Sequence, residues 1–304
     1  MHSFKDILSF VGLSKQAFHK HKVVDAKNGI KQSIVVDAIL KIRKDHPVIG
    51  LKKMHTMLEA PVVGRDAFMK IGVEHKLGGF VPKSKHRTTY SVKSSRYSNL
   101  LVDIAFDDIN QVCSTDITYF RINEDHFYID FIMDIYSRRI IGYNVSDSLR
   151  AESCLMALNM AIKTRGKENM VGMIHHSDKG TQYVYNTYTE LLEKELKMKI
   201  SMCNIVYENA HIERLNGIAK NEYLIPKGID SFEKLKKELT RFVKLYNEKR
   251  PHLALNGLTP VQYEERLKTL PKCQRTKLIC YTDDFTRLSQ TNNKLIDDSQ
   301  LSLF

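Results

Sequence analysis

No stretch of this chain approaches the run of about 18 apolar residues that would cross a membrane, and its start, MHSFKDILSF, lacks the long apolar region of a signal peptide. Neither a membrane span nor an export leader is therefore expected. Cysteine is sparse: the five, Cys113, Cys154, Cys203, Cys273 and Cys280, form no CxxC pair and are odd in number. That argues against a disulfide framework or a paired-cysteine zinc module, and for a reducing cytoplasm. Internal repeats and sustained heptads are also missing. The chain does have a globular composition, 42% hydrophobic over 304 residues, enough for two or three domains.

The net charge of +12 sits at one end. Residues 1–99 carry 19 Lys and Arg against 7 Asp and Glu, whereas residues 101–304 carry 28 of each. A basic module joined to a neutral one is the electrostatic footprint of phosphate-backbone binding. Within residues 1–78 the pattern predicts short helices at 4–10 and 15–22, the second capped by Ser14. Three more follow at 35–46, 50–59 and 65–77. Ala67, Phe68 and Ile71 give the last an apolar face, and Gly72 weakens it by about 1 kcal/mol relative to Ala. Lys52, Lys53, Arg65, Lys70 and Lys76 are the DNA-binding candidates here. Residues 79–98 are basic, Ser/Thr-rich and aperiodic, a linker whose Lys83, Lys85 and Arg87 are positioned to track DNA.

From 99 to 268 strand and helix patterns alternate. Strands are predicted at 112–120, 127–135, 139–146, 171–176 and 198–203, with helices over 151–165 and from 231, where Ser231 is the N-cap. Beyond 268 the chain turns polar, and residues 269–304 are expected to fray as a tail.

Three acids stand in settings that suit one task. Asp116 lies in the alternating run QVCSTDITYF, Asp178 at the turn that ends MIHHSDKGTQY, and Glu213 in the helical YENAHIERLNGIAKNEYL. Carboxylates at two strand ends and on a nearby helix can converge to hold hard divalent cations over a phosphodiester. With 35 acids in the chain, the flanking residues decide the matter. Asp134, the rival, ends an apolar run before YSRR and is assigned a local pair with Arg138. His175 and His176 point to opposite faces of their strand, so His176 is expected to support Asp178 from behind the metal site rather than to bind zinc. On the Glu213 helix, Asn209, Asn216 and Lys220 share its face. Lys220 lies roughly 10 Å further along the axis, within reach of a DNA phosphate.

The flanks TDITYF (115–120), DIYSRRIIGY (134–143), HSDKGTQY (176–183), YENAHIE (207–213) and YNEKRPHLALNGLTP (246–260) resemble, in order, the transposases of the IS3 family of bacterial insertion sequences. With them comes a resemblance to the retroviral-integrase superfamily. A further match over 46–77 is similar to the helix-turn-helix region that precedes the catalytic domain in that family. Three departures stand out. Asp178 and Glu213 are separated by 34 residues, one fewer than most members show; SMCNIVYENA replaces a glycine-containing loop; and Cys113 occupies a usual tryptophan position.

The resemblance implies an α/β fold: an RNase H-like core, with a mixed five-stranded sheet and helices, preceded by an all-α helix-turn-helix region. It also implies a DDE transposase that nicks and joins the ends of its own element. The catalytic and metal-binding residues would be Asp116, Asp178 and Glu213, aided by His176 and Asn209. Two Mg²⁺ ions, with Mn²⁺ as a substitute, are the expected cofactor. The expected partners are DNA (terminal inverted repeats and target), at least one further copy of the chain, and an upstream-frame protein. The expected location is the bacterial cytoplasm, at the nucleoid. Two other functions fit parts of the sequence: an RNase H-like nuclease without joining activity, and a DNA-binding regulator using the N-terminal helices alone.

Overall fold

A computed structural model describes residues 4, 8, 10–79, 97–203 and 206–280. Its contacts divide the chain into two units, Met1–Val81 and Pro82–Phe304. The linker stretch lies almost entirely outside the described residues, as do Lys83, Lys85, Arg87 and most of the helix expected at 4–10.

In the first unit one helix, α1 (Lys15–Asp45), replaces the two expected at 15–22 and 35–46. Ser14 does cap it, its side chain accepting the Ala17 amide at 3.0 Å. The intervening residues hold no proline, and Gly29 alone costs too little to stop a helix. Only Val35 and Ile39 of α1 are buried, so residues 20–34 had no periodic burial to report them. Two short helices, α2 (Leu51–Thr56) and α3 (Arg65–Glu74), close on its C-terminal half around Ile49, Met54, Phe68 and Ile71. Gly72 is where α3 touches α2: a Cβ there would come within 2.7 Å of the Leu51 side chain. Arg43 fastens the unit by donating to the carbonyls of Pro47, Ile49 and Leu77 at 2.8–2.9 Å.

The second unit is built on a five-stranded mixed sheet. Its strands are β2 (Val112–Ile122), β3 (Asp125–Asp134), β4 (Ile140–Ser146), β5 (Ile174–Ser177) and β6 (Lys199–Met202), in spatial order β4-β3-β2-β5-β6. β2, β3 and β4 are antiparallel, and β5 and β6 run parallel to β2. Asn123, at φ +53°, makes the tight turn from β2 to β3. All five strands fall where the alternation predicted them.

Because side chains alternate along a strand, each face gathers its own core. One face receives α4 (Ala151–Arg165) through Cys154, Ala157, Leu158 and Ala161. Gly142 of β4 permits that approach, since a Cβ would lie 2.2 Å from the Ala157 carbonyl. On the same side are α5 (Asn186–Glu190), continued by a π turn, and the buried Tyr183 and Tyr188. The opposite face packs Phe120, Phe131 and Met133 against α6 (Ala210–Gly217), its π-helical continuation Ile218–Leu224, and α7 (Phe232–Glu248). Ser231 caps α7 as expected. Each large apolar side chain buried here contributes about 1.5–3 kcal/mol.

The expected fraying from 269 is corrected as far as residue 280. α8 (Pro260–Thr269), with a capping box between Thr259 and Gln262, leads into a two-residue strand β7 (Leu278–Ile279). β7 pairs antiparallel with β1 (Ala105–Phe106). Arg275 meets Asp108, and Tyr136 donates to the Thr276 carbonyl at 2.9 Å.

Candidate active site

The register of β2 against β5 sets the site. Ser114 is level with His176 on the neighbouring parallel strand; Asp116 lies two residues further along β2, and Asp178 two residues beyond His176, just past the end of β5. Adjacent strands are about 4.8 Å apart. β5 stops at Ser177, and the Asp178 carboxylate accepts the Gly180 amide at 3.0 Å across the turn. Asp116 and Asp178 are half-buried, and Glu213 on α6 is exposed.

α6 is held against β2 by two buried asparagines. Asn209 accepts from the Ser114 hydroxyl and donates to the Thr115 carbonyl at 3.2 Å. Asn216 donates to Asp116 Oδ2 at 2.8 Å. The structure therefore separates side chains that helical spacing placed together. Asn209, at φ −120°, caps α6 and grips β2, while Glu213 remains outside. The His176 ring bonds the Ser201 hydroxyl and the Glu208 carbonyl, each at 2.9 Å. Lys220 falls in the π-helical stretch, with its ammonium 5.1 Å from the centre of the Tyr119 ring.

Asp134 belongs elsewhere. It accepts the amides of Asn110, Tyr136 and Ser137, and its ion-pair partner is Arg165 at 3.3 Å, not the expected Arg138. Arg165 also pairs with Glu264 at 2.5 Å, and Arg139 meets the same carboxylate. Burial pushes Asp134 up, Arg165 only partly offsetting it. Burial works on Glu264 in the same direction, yet Arg165 and Arg139 hold it below its ordinary value. The shorter contact makes Glu264 the main partner of Arg165.

Electrostatics sets the three acids apart. Burial raises Asp116 well above its usual range, and the charges of Asp178, Glu213 and Asp130 push it further. Asp178 is raised by burial, and Glu213 by partial burial and then by Asp178. Burial is the largest cause in each; the charges of Asp178 and Glu213 at Asp116, and of Asp178 at Glu213, add a repulsion that a divalent cation would relieve. Among the described residues no three His, Cys, Asp or Glu side chains are grouped so that they could hold a metal ion. Mg²⁺ keeps several waters and takes one or two carboxylates with substrate phosphates, and carboxylate oxygens are the donor type it uses.

His175 faces the other way and bonds the Tyr188 hydroxyl at 2.8 Å. Burial, then the neighbouring His176, lowers its pKa to about 3. Since the unfolded chain takes up this proton near pH 6.5 and the native one only near 3, stability from this group is lost as pH falls through that window. The melting temperature of the wild type is expected to fall relative to His175→Gln between about pH 7 and pH 4. Parallel curves would contradict a buried neutral imidazole.

Lys52, Arg65, Lys70 and Lys76 are exposed on the first unit, and Lys53 is half-buried. Arg65 lies 2.9 Å from Asp66, and Lys70 3.9 Å from Glu74.

Two integrase core domain families match this chain, over residues 108–206 and 197–260. An uncharacterized 31 kDa protein of insertion element IS600 from Shigella sonnei is 26% identical over 84% of the chain and 96% of its own length. The transposase of insertion sequence element IS629, also from Shigella sonnei, is 28% identical over 73% of the chain and 75% of its own. The transposase InsF of insertion sequence IS3A from Escherichia coli K12 is 31% identical over 52% and 54%. A mixed five-stranded sheet bearing these matches defines a polynucleotidyl transferase with an RNase H-like integrase core. Within that superfamily, the chain belongs to the IS3-family DDE transposases. No helix among the described residues is long and apolar enough to cross a membrane.

Proposed function

We propose that this transposase binds the terminal inverted repeats of its own insertion sequence, nicks their 3′ ends and joins them to target DNA. Asp116, Asp178 and Glu213 are the metal-binding and catalytic acids in this reading. The observation that carries it is the pairing of β2 with β5 as far as Ser114 and His176, two residues before Asp116 and Asp178, with the charges of Asp178 and Glu213 both acting on Asp116. Two Mg²⁺ ions, or Mn²⁺ in their place, would supply activation of the attacking oxygen and stabilisation of the leaving one. Around them the chain's own residues do the positioning. Asn216 orients the Asp116 carboxylate, the Gly180 amide orients that of Asp178, and Lys220 is placed for a phosphate of the bound strand. The active form is an assembly of at least two copies on DNA, with an upstream-frame protein as a further partner. The test is a purified assay on labelled element-end duplex in Mg²⁺. Joined products are expected, and hydrolysis alone would instead make the protein a nuclease.

Residues 1–98 are the DNA-reading region in this proposal, supported by the concentration of the whole net charge in residues 1–99. A 99–304 fragment is expected to bind element ends far more weakly than the full chain. Full-chain affinity should fall steeply with salt as counterions are released. Equal binding by the fragment at about 0.2 M salt, where screening is strong, would remove residues 1–98 from end recognition.

A further inference from the structure

Asp130 is a fourth acid near the site, on the opposite face of the sheet from Asp116. It is 1% exposed in the middle of β3. Burying a carboxylate costs several kcal/mol unless its bonds compensate, and an apolar residue would serve the fold at least as well. One oxygen accepts from the Thr115 hydroxyl at 3.1 Å, and the other has no hydrogen-bond partner. Burial pushes this carboxyl up to about 7 and the charge of Asp178 adds to the rise, while hydrogen bonds from Cys154, Thr115 and Tyr183 oppose it.

The Tyr183 hydroxyl lies 3.5 Å from Thr115 Oγ1, a contact in which either oxygen can donate, and it also bonds Asp130. Tyr183 is itself 1% exposed, and a buried hydroxyl left without an acceptor is costly. The result is a buried cluster of Tyr183, Thr115 and Asp130 whose hydrogen bonds converge on the Asp130 carboxylate. Its placement matters. Thr115 immediately precedes Asp116 on β2, and Tyr183 closes the turn that begins at Asp178.

We propose that Asp130 is a positioning residue which, by anchoring Thr115 and Tyr183, fixes the Asp178 turn against β2 and so sets the separation of the two aspartates. The inference rests on the reading of Asp116 and Asp178 as a metal-holding pair. Asp130 itself touches neither metal nor substrate. Its hydrogen-bonding capacity is what counts, so an amide that can still accept from Thr115 preserves the arrangement, whereas an aliphatic side chain releases it.

Mn²⁺ affinity and the spectrum of bound Mn²⁺, read by electron paramagnetic resonance on the full chain, provide the test. Asp178→Asn serves as the control for the metal site, because normal Mn²⁺ binding by that variant overturns the metal-site reading itself. Given loss of binding there, Asp130→Leu is expected to weaken Mn²⁺ at least tenfold and to broaden the bound spectrum. Asp130→Asn is expected to stay within about threefold of wild type, an energy difference under about 1 kcal/mol. Wild-type affinity in Asp130→Leu overturns the proposal. So does an Asp130→Asn variant as weak as Asp130→Leu, which would assign the effect to charge. Should Asp130→Leu not fold, Tyr183→Phe, which deletes only the hydroxyl, must weaken Mn²⁺ several-fold, and unchanged affinity then overturns the proposal equally.

Discussion

Asp116→Asn is expected to abolish both nicking and joining of element ends in Mg²⁺ while leaving DNA binding in place. The substitution keeps the side chain's size and removes the charge that repels Asp178 and Glu213. Asp178→Asn and Glu213→Gln should behave alike. Losses of a thousandfold or more per single change, and no further loss in the doubles, are the signature of groups acting as a unit. A thermal readout accompanies the kinetic one: relief of repulsion among the acids means that Mg²⁺ should raise the melting temperature of the wild type, and that this rise should vanish in each variant. Near-normal strand transfer by Asp116→Asn would show that the site has been placed on the wrong residues.

The second large effect concerns stability. Arg165→Met leaves Asp134 and Glu264 buried without the cation that both face. Breaking a buried pair from one side costs about 3–5 kcal/mol, and a domain of this size loses roughly 2–4 °C per kcal/mol. A drop of about 10 °C in melting temperature is therefore expected. Arg165→Lys should recover only part of it, because a lysine cannot reproduce the two-pronged contact with Glu264. An unchanged melting temperature in Arg165→Met would show that the network contributes nothing.

The sheet was legible in the sequence because burial leaves a period. β2 alternates from Thr118 to Ile122, and α4 repeats Cys154, Leu158 and Ala161 on one face, so both emerge within a residue or two of expectation. α1 was not legible as a single helix, since residues 20–34 pack against nothing and carry no stripe. Among the site residues, the acids were read from local settings and His176 and Asn209 were named beside them, but the contacts those two make were not legible. His176 reaches a carbonyl 32 residues away, and Asn209 spans 94 residues to Thr115. No local pattern reports contacts at that range. Asp130 escaped notice for a different reason: within FYIDFIM it is a single polar interruption of a strand-like apolar run, and only its burial shows that it needs an explanation.

β7 gives the last dozen described residues a significance out of proportion to their length. Pairing with β1 and the Arg275–Asp108 contact tie residues 275–279 to a segment that precedes the sheet, and the Tyr136 bond to Thr276 ties them to the turn after β3. Leu278 lies against the cluster of Leu101, Phe106, Val112, Ile135 and Tyr136. A gene copy interrupted just after the α8 codons would still encode all three acids, yet its product would expose that apolar patch and a strand edge open to pairing with other chains. Genomic decay of such an element could thus begin at its 3′ end, silencing it through aggregation or proteolysis while every catalytic codon remained intact.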